Sequence, residues 1–162
     1  FFGLMVLVPI MRYVTGNGKS ILTASILLSV MILPTIVTVS QSSLNALDPA
    51  LLEGALALGD SKERAVLRVM MPAASSGIMS SVVLGIGRSI GETMAVVMVA
   101  GNQPRIPSSL LEGARTMTAN IVLEMGYAAD LHREALLATG AVLFVFILLI
   151  NLSFSLIRRK KK

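Results

Sequence analysis

Two charged residues, Arg88 and Glu92, lie within residues 73–100, a run that is otherwise apolar or made of small side chains. A helix starting near Ala74 would place Arg88 roughly 20 Å along its axis, beyond the middle of a hydrocarbon core about 30 Å thick. A charge at that depth costs from about 3 to more than 10 kcal/mol, so it faces protein or water rather than lipid. The two residues are therefore candidates for a functional site inside a membrane.

Small residues share the helix face of this charged pair. At about 100° per residue, Gly77, Ser81 and Gly85 fall in one arc with Arg88 and Glu92. Small side chains at four-residue spacing allow close helix approach in lipid, where hydrophobicity does not drive association. The residues predicted to serve helix packing are Gly77, Ser81, Gly85, Gly87 and Gly91.

The composition is that of an integral membrane protein. Of 162 residues, 54% are apolar and 14% charged, and the mean hydropathy is +0.80, well above that of soluble domains. The absence of cysteine excludes disulfides and thiol catalysis, and a single histidine argues against a zinc site. Five of the fourteen basic residues form the terminal cluster 158–162, so the net charge of +5 indicates a membrane anchor rather than nucleic-acid binding. Because the first residue is Phe inside a hydrophobic run, we expect a fragment of a longer chain.

Hydrophobic segments predict an all-α, polytopic transmembrane bundle in one domain. The loops 41–72 and 101–134 separate the predicted spans. Lys and Arg number eight in loop 41–72 plus the tail, against five in residues 12–19 and 101–134, which places loop 41–72 and the C-terminus in the cytoplasm. The predicted spans are residues 1–11 (partial, closed by Pro9), 21–40, 73–100 and 135–157.

Loop 41–72 contains signals for a short helix over residues 49–58. Asp48 is a suitable N-cap with proline next to it, and Gly59 is a suitable stop. Small residues including Gly54 give this helix a nearly flat side, as a helix needs to press into a groove on another protein. The alternative is a solvated loop with surface helices.

A second helix is predicted over residues 61–70. Asp60 and Glu63 resemble a capping box for it, and Pro72 is expected to end it and begin the next span.

Glu53, Ala55 and Gly59 follow the spacing E-x-A-x-x-x-G in loop 41–72, and Pro72 lies further along the same loop. At these positions the loop resembles the EAA loop of membrane subunits of ATP-binding-cassette importers, while Gly54, Val69 and Met71 depart from the pattern. The resemblance implies the transmembrane fold of type I importers, in which such loops form cytoplasmic coupling helices that dock on an ATPase subunit.

A second motif narrows the family. The sequence from Gly87 to Val96, GRSIGETMAV, followed by Gly101 and Asn102, is similar to phosphate-importer permeases of the PstC type. The sister type, PstA, usually has Ala-Pro where this chain has Met94 and Ala95. This resemblance implies a permease subunit of an ATP-driven phosphate importer in the bacterial cytoplasmic (inner) membrane.

The resemblance also implies the partners. They are a second, PstA-like permease, ATPase subunits and an extracytoplasmic phosphate-binding protein, in contact with membrane lipid and without nucleic acid. The sequence has no glycine-rich phosphate-binding loop, so we expect no enzymatic site and no bound cofactor, with ATP used by the partner subunit. The alternatives are a permease for another oxyanion, sulfate or molybdate, and a non-transport membrane scaffold.

Two interpretations of Arg88 and Glu92 remain open. In one, they form an i, i+4 salt bridge that neutralises the helix or lines a subunit interface. In the other, Arg88 is a fixed cation on the phosphate path, because its forked N–H groups match phosphate oxygens, and Glu92 orients it and limits how tightly the anion binds. Asn102 and Arg105 could guide phosphate from outside or be ordinary loop residues, and His132 is expected to be solvated.

Overall fold

The computed structural model describes residues 1–159, with side chains described as far as residue 156. Within this part the chain forms helices and loops and no β-strand. The terminal basic cluster 158–162, expected to be a cytoplasmic anchor, lies outside the described side chains. The α-helices are α1 Val8–Thr15, α2 Ile21–Asn45, α3 Pro49–Ala57, α4 Lys62–Ala65, α5 Met71–Ala73, α6 Ser75–Gly91, α7 Met94–Val99, α8 Met117–Glu124 and α9 Asp130–Arg159.

Two of these helices, α2 and α9, are long and apolar enough to cross a membrane, and a third crossing results if the bent pair Lys62–Ala73 and Ser75–Gly91 is one span. The prediction of an all-α, polytopic membrane fold is confirmed. Both helices extend beyond the predicted spans 21–40 and 135–157 by several residues at one or both ends.

The first apolar segment does not close at Pro9, and that expectation is wrong. A π-helical turn, Gly3–Leu7, runs directly into α1, so the chain stays helical through Pro9. The helix ends instead at Gly16, whose φ of +77° is the left-handed conformation that glycine adopts without strain.

Small residues let α6 pack closely on α2. A methyl group at Gly85 would lie 2.7 Å from Ile32 Cγ2, and one at Gly77 would overlap Ser43. Between these glycines, Ser40 Oγ and Ser81 Oγ are 2.7 Å apart, and Ser81 also donates to the Ile78 carbonyl at 2.7 Å. Ser81 is completely buried, so this contact satisfies its hydroxyl away from water.

The loop after α7 caps the start of α2. The amides of Ile21 and Leu22 donate to the carbonyls of Glu112 and Leu110, both at 3.0 Å, and Asn17 Nδ2 donates to the Leu111 carbonyl at 2.8 Å. These bonds satisfy amides that a helix start leaves without partners. They also place residues 12–19 on the same side of the bundle as loop 101–134.

Candidate functional site: an exposed loop helix and a broken span

Helix α3 has the caps that the sequence predicts. The Asp48 carboxylate accepts from the Ala50 amide at 2.9 Å, and Gly59 has a φ of +88°, so the predicted cap and stop are confirmed. Glu53 and Gly54 are exposed, and a methyl group at Gly54 would have no neighbour within 4 Å. Ala55 is buried on the other side of the helix.

The segment after α3 differs from its prediction in two details. Its N-cap is Ser61, whose hydroxyl accepts from the Arg64 amide at 3.4 Å, whereas Asp60 forms an exposed ion pair with Arg64 at 3.8 Å. The helix does not end before Pro72 but continues through a π-helical turn, Val66–Met70, and α5 to Ala73. The chain then bends by 72° into α6, so the loop meets the span through a continuous helical arm.

The expectation of one helix over residues 73–100 is wrong. Helix α6 ends at Gly91, Glu92 is extended with φ −71° and ψ 120°, and α7 begins at Met94. Side chains at the break replace lost helical bonds: Glu92 Oε1 accepts from the Ala95 amide at 3.2 Å, and Thr93 Oγ1 donates to the Gly91 carbonyl at 3.2 Å. A glycine followed by capping side chains is a stop-and-restart signal, and it overrides the apolar run.

This break separates Arg88 from Glu92. Among the described residues the two form no salt bridge, because Glu92 has left the helix and uses its carboxylate as a cap. The i, i+4 salt bridge of the first interpretation is therefore not made. Arg88 is exposed in the last turn of α6, while Glu92 is half-buried beside an apolar groove of about 400 Å³ that Met98 and Val99 also line.

The predicted packing residues divide into two groups. Gly77, Ser81 and Gly85 face α2, as described above. A methyl group at Gly87 would lie 3.8 Å from Asn151 Oδ1 on α9, and one at Gly91 would meet nothing within 4 Å. The close helix contact thus ends before the break, and Arg88 lies beyond it.

A polar network that the sequence did not reveal joins the loop after α7 to α8 and α9. Arg115 Nη1 donates to Glu124 Oε1 at 2.6 Å and to Asn120 Oδ1 at 3.2 Å, while its Nε donates to the Asn102 carbonyl at 3.1 Å. Asn102, with a φ of +50°, in turn donates from Nδ2 to the Val97 carbonyl at 2.6 Å. The network therefore connects the end of α7 to α8.

Glu124 also reaches α9. His132 Nε2 is 3.4 Å from Glu124 Oε2, so His132, expected to be solvated, is half-exposed and has a partner. The Tyr127 hydroxyl and the Arg115 guanidinium hold the pKa of the Glu124 carboxyl below its usual range, since both favour the ionised form. The hydrogen bond between the Tyr127 hydroxyl and the Glu124 carboxylate raises the pKa of Tyr127. No periodic pattern brings these residues together, which is why sequence reasoning missed the network.

Almost the whole chain matches one known protein family. Residues 2–162 match the family described as binding-protein-dependent transport system inner membrane component. The chain belongs to that family. Membership agrees with the predicted resemblance to importer permeases and with the multi-pass helical fold.

The names of individual relatives agree with this family assignment. The chain is 42% identical over 159 residues to the probable ABC transporter permease protein YqgH of Bacillus subtilis, covering 93% of this chain and 52% of the relative. It is 36% identical over 128 residues to the phosphate transport system permease protein PstC of Haemophilus influenzae (79% and 41%), and 39% identical over 134 residues to that of Mesorhizobium japonicum (82% and 41%). The chain thus spans about half the length of these relatives, and the predicted resemblance to PstC-type permeases is confirmed. No solved structure matches the chain.

Proposed function

We propose that this chain is part of the membrane permease of an ATP-driven phosphate importer of the PstC type. The observation that carries the proposal is the similarity of most of the chain to permeases named for phosphate transport. The family itself consists of membrane components of binding-protein-dependent transport systems. The permease works with a second, PstA-like permease, ATPase subunits that bind and hydrolyse ATP, and an extracytoplasmic phosphate-binding protein.

The exposed side of α3 supports a docking role. Glu53 and Gly54 lie open to solvent, and Gly54 leaves the helix surface flat, so a cleft on the ATPase can approach its backbone. Movement of α3 reaches the span through the helical arm Lys62–Ala73 and its 72° bend into α6. We place loop 41–72 and the C-terminus in the cytoplasm, on the basis of the distribution of Lys and Arg.

The broken span supports a role for Arg88 in the phosphate path. Discontinuous helices in transporters occur where irregular backbone lines a cavity rather than lipid. Arg88 lies one turn before the break, exposed, with no carboxylate partner among the described residues. We propose that it meets phosphate at the interface with the second permease, where the anion binds weakly enough to be released, and that Glu92 shapes the break.

Stimulation of ATP hydrolysis tests the assignment. The full-length protein, assembled with its permease and ATPase partners in proteoliposomes, is mixed with its binding protein, with or without phosphate. We expect phosphate-loaded binding protein to stimulate ATP hydrolysis several-fold, and sulfate or molybdate to have no effect. Stimulation by sulfate or molybdate alone would assign another oxyanion as the substrate. A rate of ATP hydrolysis that none of the three anions changes would favour the non-transport membrane scaffold.

A further inference from the structure

An open cavity of about 450 Å³ lies between the loop after α7, the start of α8 and α9. Its volume is within the range of small-molecule sites. The charged residues that line it are two arginines, Arg105 and Arg115, and no carboxylate is among its described lining residues. Gln103, Thr116 and Asn120 add polar side chains. Both arginines also pair with carboxylates that lie outside the lining, Arg115 with Glu124 and Arg105 with Glu112, so the cavity offers an anion N–H donors rather than a net positive charge.

Arg115 is held in place before any ligand arrives. Its Nε and Nη1 atoms are used in the bonds to Asn102, Asn120 and Glu124, and its side chain is only 22% exposed. Nη2 has no hydrogen-bond partner among the described residues. A guanidinium fixed on one edge retains N–H groups for an oxyanion without losing further side-chain freedom.

Arg105 is the adjustable second cation. It is 62% exposed and lies 3.8 Å from Glu112 Oε2, which also accepts from the Ser108 amide at 3.0 Å. An exposed pair at this distance contributes little, so exchanging it for a second negative ligand costs little. Asn120 uses its Oδ1 for Arg115, which leaves its NH₂ group as a donor.

We propose that this cavity binds a phosphate group, separately from the broken span. The group is carried by inorganic phosphate or by an anionic lipid head group, which present the same oxygens. The cavity lies on the side of the bundle that holds residues 12–19 and loop 101–134. With the orientation of the proposed function, on which this inference rests, the cavity opens on the extracytoplasmic side.

Direct binding tests the cavity without transport. The assembled complex of the full-length protein, without binding protein, is placed in phosphatidylcholine nanodiscs and titrated with radiolabelled inorganic phosphate. An Arg88→Gln background keeps the broken span from contributing. Arg105→Gln in this background should weaken binding about tenfold or more, the loss expected for a charge-assisted hydrogen bond. Arg105→Lys should give an intermediate affinity, because it keeps the charge but not the fork.

A matched control and a lipid arm separate the outcomes. Arg133→Gln, an exposed arginine near the start of α9 that does not line the cavity, should leave binding unchanged. A second arm uses nanodiscs that contain phosphatidylglycerol. If this lipid co-purifies with the parent but not with Arg105→Gln, and if phosphate does not bind in phosphatidylcholine, the ligand is the lipid head group. Equal binding of both ligands by Arg105→Gln and its parent, or none by either, would overturn the proposal. The ATP-hydrolysis assay does not depend on this result, so the two can fail separately.

Discussion

At the scale of single residues, Arg88 and Glu92 show what the sequence could and could not predict. Hydropathy and helical spacing identified both residues as unusual. The spacing argument assumed one continuous helix, whereas Gly91 and the capping side chains of Glu92 and Thr93 end it. Arg88 is left exposed, without an acidic partner among the described residues.

Arg88→Gln should abolish phosphate uptake by the assembled importer. Glutamine is similar in length but has neither the charge nor the fork that phosphate requires. The measurement is ATP-driven uptake of labelled phosphate, with co-purification of the ATPase as the check on assembly. Near-normal uptake in an assembled Arg88→Gln complex would mean that Arg88 has a structural role.

Glu124→Gln tests the network around Arg115. Because the pKa of Glu124 is lowered on folding, its ionised form contributes stability above the usual pKa of about 4.5, and this contribution is lost as pH falls through the folded value. Thermal unfolding followed by circular dichroism should show Glu124→Gln less stable at neutral pH, with the difference shrinking under acid. Glu134→Gln, at an exposed position, is the control. A deficit independent of pH would contradict the titration argument.

At the scale of elements, capping and turn chemistry predicted the local structure well. The sequence predicts the start of α3 at Pro49 and its stop at Gly59. It could not predict that Pro9 and Pro72 lie within continuous helical segments, because proline usually kinks or ends a helix. In both places a π-helical turn lies just before the proline. It also could not predict the 72° bend.

Gly59→Pro should uncouple ATP hydrolysis from uptake. Proline fixes φ near −65°, incompatible with +88°, and removes the Gly59 amide that donates to the Leu56 carbonyl, so the end of α3 must move. Hydrolysis and uptake are measured together as a ratio. Gly16→Pro is a matched control, since Gly16 also ends a helix at positive φ with a bonded amide, but on the opposite side. Tight coupling in Gly59→Pro would contradict a coupling role for α3.

Gly85→Ala should destabilise the contact of α6 with α2 by about 1–3 kcal/mol, the usual cost of overpacking. The added methyl group meets side chains of Ile32 and Ile36 below 3.0 Å. Unfolding in detergent, titrated with sodium dodecyl sulfate, gives the stability. Gly87→Ala, where the nearest neighbour is 3.8 Å away, should change it by far less. Equal effects of the two substitutions would show that the contact is looser than described.

At the scale of the whole molecule, composition was enough to predict a helical membrane protein, and motifs were enough to predict its family. The arrangement of helices was not predictable, because contacts such as Ser40 with Ser81 and Arg115 with Glu124 join distant parts of the sequence. The bend between the arm Lys62–Ala73 and α6, and the break at the other end of α6, are likewise features of the three-dimensional arrangement. The proposed importer uses them together, with ATP hydrolysis moving one and phosphate passing the other.

Uptake by the complete importer tests this account most directly. Proteoliposomes holding the full-length protein with its permease and ATPase partners are given binding protein, labelled phosphate and ATP. The account predicts phosphate accumulation that requires ATP and persists in a tenfold excess of sulfate. Accumulation that sulfate or molybdate abolishes, or that proceeds equally without ATP, would contradict it.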